Sequence, residues 1–187
     1  MMNTLSIPKH SFTVEEFHNM TAVFGEDAKV ELIAGDILDM APIGNRHLMY
    51  VDHLTDLLVP QVRSVATVRV QGSIRLHDRS EPQPDLVILR GRPKDYANRY
   101  AIPSDVLFLI EVADSSFQYD KQIKVPLYAR HGIMETWLFD LQRTVVEVYR
   151  HPQASGYATL QTLDSQAQLS PLALPEVVLS LADLFSN

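Results

Sequence analysis

The chain has no cysteine among its 187 residues. That absence excludes a disulfide framework, a thiolate metal site and a cysteine nucleophile together. No apolar run approaches the roughly 18–20 residues that cross a bilayer as a helix. A basic-then-apolar leader is also missing, because Pro8, Lys9 and His10 interrupt the start; the resulting expectation is a cytoplasmic protein. There is no repeat, linker or low-complexity block. Nor is there a Gly-x-Ser-x-Gly elbow, a His-Glu-x-x-His pair or a Gly-rich phosphate loop, so the corresponding hydrolase, peptidase and nucleotide-binding classes lose support. Ser115 and Ser116 have no sequence context that would activate a hydroxyl. Basic charge is scarce as well. The net charge is −7, whereas a nucleic-acid surface normally shows a basic footprint.

What is present suits one domain spanning residues 1–187, with residues 1–10 a loose tail. Hydrophobic content of 46% and charged content of 21% are ordinary for a globular chain with a proper core. The charge is unevenly spread. Residues 11–62 carry nine acids against Lys29 and Arg46, while residues 63–99 hold Arg63, Arg69, Arg75, Arg79, Arg90, Arg92, Lys94 and Arg99 against four acids. The second stretch permits a polyanion to approach, although solvated surface charge is the commoner reason for any one of these residues.

Patterning gives the elements. Thr13 with Glu16 reads as a capping box, with Phe12 and Phe17 as its staple, opening a helix that runs to about residue 23. Strands at 29–33 and 37–40 meet through Ala34-Gly35-Asp36, a hairpin signal. Glu31 lies between apolar neighbours, and composition weighs a pocket-facing acid and a solvated one equally. Asn45 is the expected N-cap of a helix with Leu48, Val51, Leu54 or Thr55, and Leu58 inward, which Pro60 bends or ends. His47 opens that stripe; alone, such a residue is more often a surface or satisfied core histidine. His53, six positions on, does not stack above it, so a zinc pair is not expected. Strands follow at 66–70 and 73–77 with a kink at Gln71-Gly72, then 86–89. Residues 90–104 read as an exposed loop or short helix whose Tyr96 and Tyr100 could stack on bases, though loop tyrosines more often pack on their own domain.

The run 106–110 reads as a buried strand ending in Glu111, and Pro84-Asp85 puts a second acid at the start of strand 86–89. An acid beside a core strand needs a partner, a cation or an exit to solvent. Two acids so placed suit a divalent ion, and oxygen donors favour magnesium or manganese over zinc. A helix then runs from the 114–116 cap cluster to Gly132, with Asp120 and Lys124 at i and i+4 on one face unless Pro126 kinks it or delays its regular part to about Val125. Strands at 135–140, 144–149 and 157–163 and a helix at 180–185 complete the chain, with Trp137 as a core aromatic.

The pattern Pro84-Asp85, Glu111-Val112-x-x-Ser115, Asp120, Lys124, Pro126-Leu127-Tyr128-Ala129, Gly132-Ile133 and Trp137 resembles the Uma family, over about residues 12–149. Glu31-Leu32-Ile33-x-Gly35-x-Ile37 and His47 match it too. That family is placed among the restriction-endonuclease-like PD-(D/E)xK nucleases. The resemblance implies an α/β fold with a mixed central β-sheet flanked by helices. It implies a catalytic set of Glu31, Asp85, Glu111 and Lys124, with Asp85 and Glu111 holding magnesium or manganese and His47 as an auxiliary. DNA is the implied substrate and a homodimer the implied assembly. The superfamily's lysine two positions after the Glu is Ala113 here, so the resemblance gives its role to Lys124, with Lys121 the nearest substitute. A catalytically silent nucleic-acid-binding or interaction module on the same fold is the competing expectation, favoured by the acidic balance.

Overall fold

The computed structural model describes residues 8–25, 28–40 and 42–186; residues 1–7 of the expected tail lie outside them. The capping box forms as read: Thr13 Oγ1 accepts from the Glu16 amide, and the Glu16 carboxylate accepts from the Thr13 amide at 2.8 Å. The helix it opens is short, α1 at Val14–Asn19, followed past Met20 by the single turn α2 at Thr21–Phe24. Strands β1 (Val30–Ile33) and β2 (Asp36–Asp39) pair antiparallel. Ala34 and Gly35 between them both have positive φ, 51° and 87°, the two-residue turn that matches strand twist.

Helix α3 (Asn45–Val62) starts one residue earlier than expected, on Gly44 as N-cap, and runs through Pro60. Pro60 is on the exposed side, where the carbonyl it leaves without a donor can meet water. Burying Leu58 and Val62 outweighs the lost bond. The inward stripe is Tyr50, Val51, Leu54, Leu58 and Val62, whereas Leu48, expected inside, is 39% exposed.

Six strands form the main sheet in the order β3 (Ala66–Val70), β4 (Leu86–Arg90), β5 (Val106–Ala113), β6 (Glu135–Asp140), β7 (Val145–Gln153), β8 (Gly156–Asp164). All neighbours are antiparallel except β5 and β6, which are parallel. A parallel pair needs a crossover, here the helical segment of residues 117–130. Alternation along the central strands sorts two cores. Leu86, Ile88, Phe108, Ile110, Val112, Trp137 and Phe139 pack with α3 and with the C-terminal helix α6 (Leu181–Phe185). Val87, Leu89 and Leu109 pack on the other face with Leu127, Tyr128 and Ile133. Glu111 shares the parity of Leu109 and therefore faces the crossover.

The expected strand at 73–77 does not form. Its amides instead make scattered bonds: Ile74 to the Pro82 carbonyl, Arg75 to Ala101 and Leu76 to Ser80. The facing stretch contains Pro82 and Pro84, which have no N–H to return to a ladder. A two-stranded sheet of β9 (Gln168–Leu169) and β10 (Leu179–Ser180) was not anticipated; two-residue strands leave too little pattern to read. Among the described residues no helix is long and apolar enough to cross a membrane.

Phe108 has no solvent exposure and its ring centroid lies 4.6 Å from that of Trp137. Phe108→Ala is expected to cost about 3–5 kcal/mol through the cavity it leaves. A shift in urea midpoint at unchanged m-value measures that loss.

Candidate active site

The crossover places the site's cation. After the turn α4 (Phe117–Tyr119), residues Asp120–Lys124 form a π-helical turn in which the Val125 amide bonds the Asp120 carbonyl. Regular helix α5 (Val125–Arg130) follows, with Pro126 in its first turn. Proline has no donor for the carbonyl four residues back and crowds it. The backbone relieves this by widening one turn, an arrangement found often at functional sites. Asp120 and Lys124 are both buried on the widened turn.

Lys124 Nζ lies 2.8 Å from Glu111 Oε1 and 3.7 Å from Glu31 Oε2, and donates to the Gln83 carbonyl at 3.3 Å. Burial works against its ammonium, but Glu111, Glu31, Asp120 and Asp85 outweigh it and hold Lys124 above the ordinary lysine value. Burial pushes the Glu111 carboxyl well up, with Lys124 opposing. Tyr128, its phenol kept protonated by burial and by Glu111 itself, donates to Glu111 Oε1 at 2.5 Å. No donor reaches Glu111 Oε2 among the described residues. Glu31 is fixed at both oxygens, by the Tyr119 hydroxyl at 2.9 Å and the Gln83 amide at 3.1 Å.

Asp85 stands just before β4 and carries the sheet's hydrogen bonding past the strand end, Oδ2 accepting from the Val112 amide at 2.8 Å. Its Oδ1 is 2.9 Å from His47 Nε2 at the start of α3. The contact is an ion-pair distance without hydrogen-bond alignment, so the buried Nε2 makes no hydrogen bond. Burial disfavours a charged His47 ring, yet Asp85 and the Val112 backbone outweigh it and raise its pKa. Asp120 accepts from Ser116 Oγ at 2.5 Å, and burial raises its carboxyl.

Glu31, Asp85, Glu111 and Lys124 thus line one cleft of about 420 Å³, with His47, Tyr119, Asp120 and Gln83 around them. Lys124 touches Glu31 and Glu111; Asp85 is partnered by His47 instead. Lys121 is elsewhere, its Nζ 2.7 Å from Glu147 Oε1 on β7 and 5.3 Å from the Phe117 ring centroid. The nearest substitute for Lys124 in sequence is thus paired with a buried acid outside the cleft. Tyr96 is likewise withdrawn from base stacking. It is buried, donates to the Arg90 carbonyl at 2.5 Å and lies between Arg69 and Arg99.

Among the described residues, no three His, Asp or Glu side chains are gathered as a metal centre. Magnesium does not require such a cage, since it commonly takes one or two carboxylates and keeps several waters. Asp85 and Glu111 fit that demand, with Glu111 Oε2 lacking a protein donor and His47 Nε2 left unbonded beside Asp85. Zinc, which favours nitrogen and sulfur in closed sites, fits less well.

Residues 14–182 match the model of the Uma2 family, described as "Putative restriction endonuclease". The chain belongs to the Uma2 family. The crystal structure of a "putative nuclease belonging to DUF820" from Anabaena variabilis ATCC 29413 superposes with a TM-score of 0.77, covering 93% of this chain and 97% of that one at 22% identity. The Uma2 chain accordingly has a nuclease fold, a mixed central sheet with helices on it. The curated proteins contain no match to it.

Sequence reasoning did not assign roles to Tyr119, Tyr128, Gln83 or Ser116. Tyr128 and Asp120 were visible in the motif run, but nothing in their spacing says which acid each meets. Gln83 was visible only as the residue between two prolines, which hold its amide and carbonyl where Glu31 and Lys124 use them.

Removing Lys124 leaves Glu111 and Glu31 buried with no cation. Lys124→Ala is expected to destabilise the Uma2 fold by about 3–5 kcal/mol. Lys121→Ala should cost less, on the order of 1–2 kcal/mol, because its Nζ is partly solvated and Glu147 keeps the Tyr149 hydroxyl. Denaturant titrations of the two variants compare these losses.

Proposed function

We propose that this Uma2 protein is a metal-dependent endonuclease that hydrolyses phosphodiester bonds in DNA with magnesium or manganese. The observation that carries the reading is the meeting of Glu31, Glu111 and Lys124 beside Asp85 in one cleft. The family's description, "Putative restriction endonuclease", supports it. Asp85 and Glu111 would hold the ion, which when bound supplies an activated water and neutralises charge on the phosphoryl oxygens. Lys124 contributes a fixed positive charge that needs no reorganisation as negative charge grows on the phosphate. Glu31, clamped by Tyr119 and Gln83, keeps that ammonium charged and oriented. Tyr128 occupies Glu111 Oε1, which would leave Oε2 as the oxygen available to an ion. A cytoplasmic homodimer is the setting that the resemblance and the sequence suggest.

The acidic balance, −7 overall, favours a second reading: a silent nucleic-acid-binding or interaction module on the same fold. Calorimetric titration with magnesium and manganese separates the two, because the silent module has no use for the ion.

Plasmid and oligonucleotide substrates should be cut with magnesium or manganese and left intact without them. In single-turnover assays at a temperature where both variants are folded, Lys124→Ala should lose on the order of 10²-fold or more in rate. Its manganese affinity should change less, since the lysine serves the transition state. Lys121→Ala should cleave normally; a dead Lys121→Ala beside an active Lys124→Ala would reverse the assignment. Binding that relies on backbone phosphates should also weaken steeply with added salt, and salt-insensitive binding, or none, would favour the silent module.

A further inference from the structure

The main sheet has two edges, and they differ. The β3 edge is five residues long and has Arg69 in it, with Gln71 at a positive φ of 46° just beyond. A charge, a short length and a break in the ladder are the ordinary devices that keep an edge from pairing with another chain. The β8 edge has none of these. It is nine residues long, Gly156-Tyr-Ala-Thr-Leu-Gln-Thr-Leu-Asp164, with no proline and no charge before Asp164. Residues 158–162 are exposed in an unbroken run, and the Leu160 side chain is 51% exposed. The strand pairs only with β7. Among the described residues, no backbone bond from residues 157–163 runs to any other element, so the outward row of N–H and C=O groups meets only solvent. The charges of β7 stay inside: Glu147 with Lys121, and Arg150 with Glu135.

We propose that β8 is a dimerisation edge, where two copies of this chain pair their β8 strands antiparallel about a two-fold axis and join their sheets. The argument for a second copy is electrostatic self-complementarity. Antiparallel self-pairing sets each residue against a residue of the same strand, and like charges placed opposite one another are destabilising. Threonine, leucine, glutamine and alanine at positions 158–162 can face their own copies in any register without that cost. A two-fold contact uses the same surface twice and closes on itself, whereas open-ended addition does not. An unrelated extended peptide would draw its specificity from side-chain pockets along the edge, and the uncovered strand supplies no walls for them.

The test uses the full chain and reads mass, so it succeeds or fails independently of the nuclease reading. Sedimentation velocity across roughly 1–100 µM, a span that brackets micromolar association, should show a concentration-dependent dimer. That dimer should depend little on added salt because no charge lies in the strand before Asp164. Leu160→Lys, on an exposed side chain, should keep the wild-type circular dichroism and raise the dimer Kd by about tenfold or more, since a self-pair near the two-fold then sets lysine against lysine. The cysteine-free background permits a direct check. Single Thr159→Cys, Leu160→Cys and Gln161→Cys variants should include at least one that forms an interchain disulfide on oxidation, while Thr67→Cys on the β3 edge should not. A wild-type chain that is monomeric throughout the range overturns the proposal. So does a folded Leu160→Lys that dimerises like wild type, or crosslinking confined to the Thr67→Cys control.

Discussion

A carboxylate at the end of a wholly buried strand cannot stay charged without a cation at its side, and Glu111 is such a group. All eight residues of β5 are buried, and the side-chain parity that sends Phe108, Ile110 and Val112 into the α3 core sends Glu111 toward the crossover. The group that meets it, Lys124, is equally buried and equally dependent, since an ammonium in that position would lose its proton without Glu111 and Glu31. Each group makes the other tolerable. The widened turn ahead of Pro126 is what brings them together, so a backbone constraint set by one proline becomes an electrostatic arrangement at the head of the cleft.

Burial of acids does not by itself distinguish this cleft. Glu135 is completely buried, yet it is satisfied by Trp137, Arg150 and the Leu172 amide. Glu147 is closed off by Lys121 and Tyr149. Those acids have both oxygens occupied, and neither lines the cleft around Lys124. Around Lys124 the balance is different, because one ammonium serves two glutamates, and Asp85 has the Val112 amide on one oxygen and His47 at 2.9 Å from the other. The unfilled capacity, more than the number of acids, separates a site from a structural ion pair.

Much of this was legible in the sequence, for identifiable reasons. The capping box at Thr13, the hairpin at Ala34-Gly35 and the buried strand ending in Glu111 follow from local chemistry that tertiary contacts did not override. Glu31 could not be decided from alternation alone. Its direction depends on Gln83 and Tyr119, which are 52 and 88 residues away. Of the two outcomes expected at Pro60, a bend or an end, the helix does not end there, because proline's cost is local, whereas the burial of Leu58 and Val62 that offsets it is tertiary. The segment at 73–77 has the composition of a strand, but its neighbours across the gap are prolines, and pairing is a property of both partners. The basic stretch from 63 to 99 permits a polyanion to approach, with solvated surface charge the commoner reason for any one residue. Several of its members are engaged internally: Arg99 by Asp105, Arg92 by the Arg63 carbonyl, and Arg75 by Asp78.

That last point bears on how a polyanion could reach the cleft. Six acidic side chains line it, Glu31, Asp39, Asp85, Glu111, Asp114 and Asp120, against Lys124 and His47. Asp114 at its rim is partly offset by Arg46 at 3.3 Å. Burial raises the carboxyls of Glu111 and Asp120, with Lys124 opposing at both. A phosphodiester approaching those walls would meet net repulsion, and some of the arginines that could draw it in are paired with acids of their own. An added divalent cation changes the sign of that encounter, since it lowers the cost of ionising Glu111 and turns the surrounding acids from an obstacle into its ligands and counter-charge. On the proposed reading, metal and nucleic acid would bind in one thermodynamic linkage, the affinity for each rising in the presence of the other.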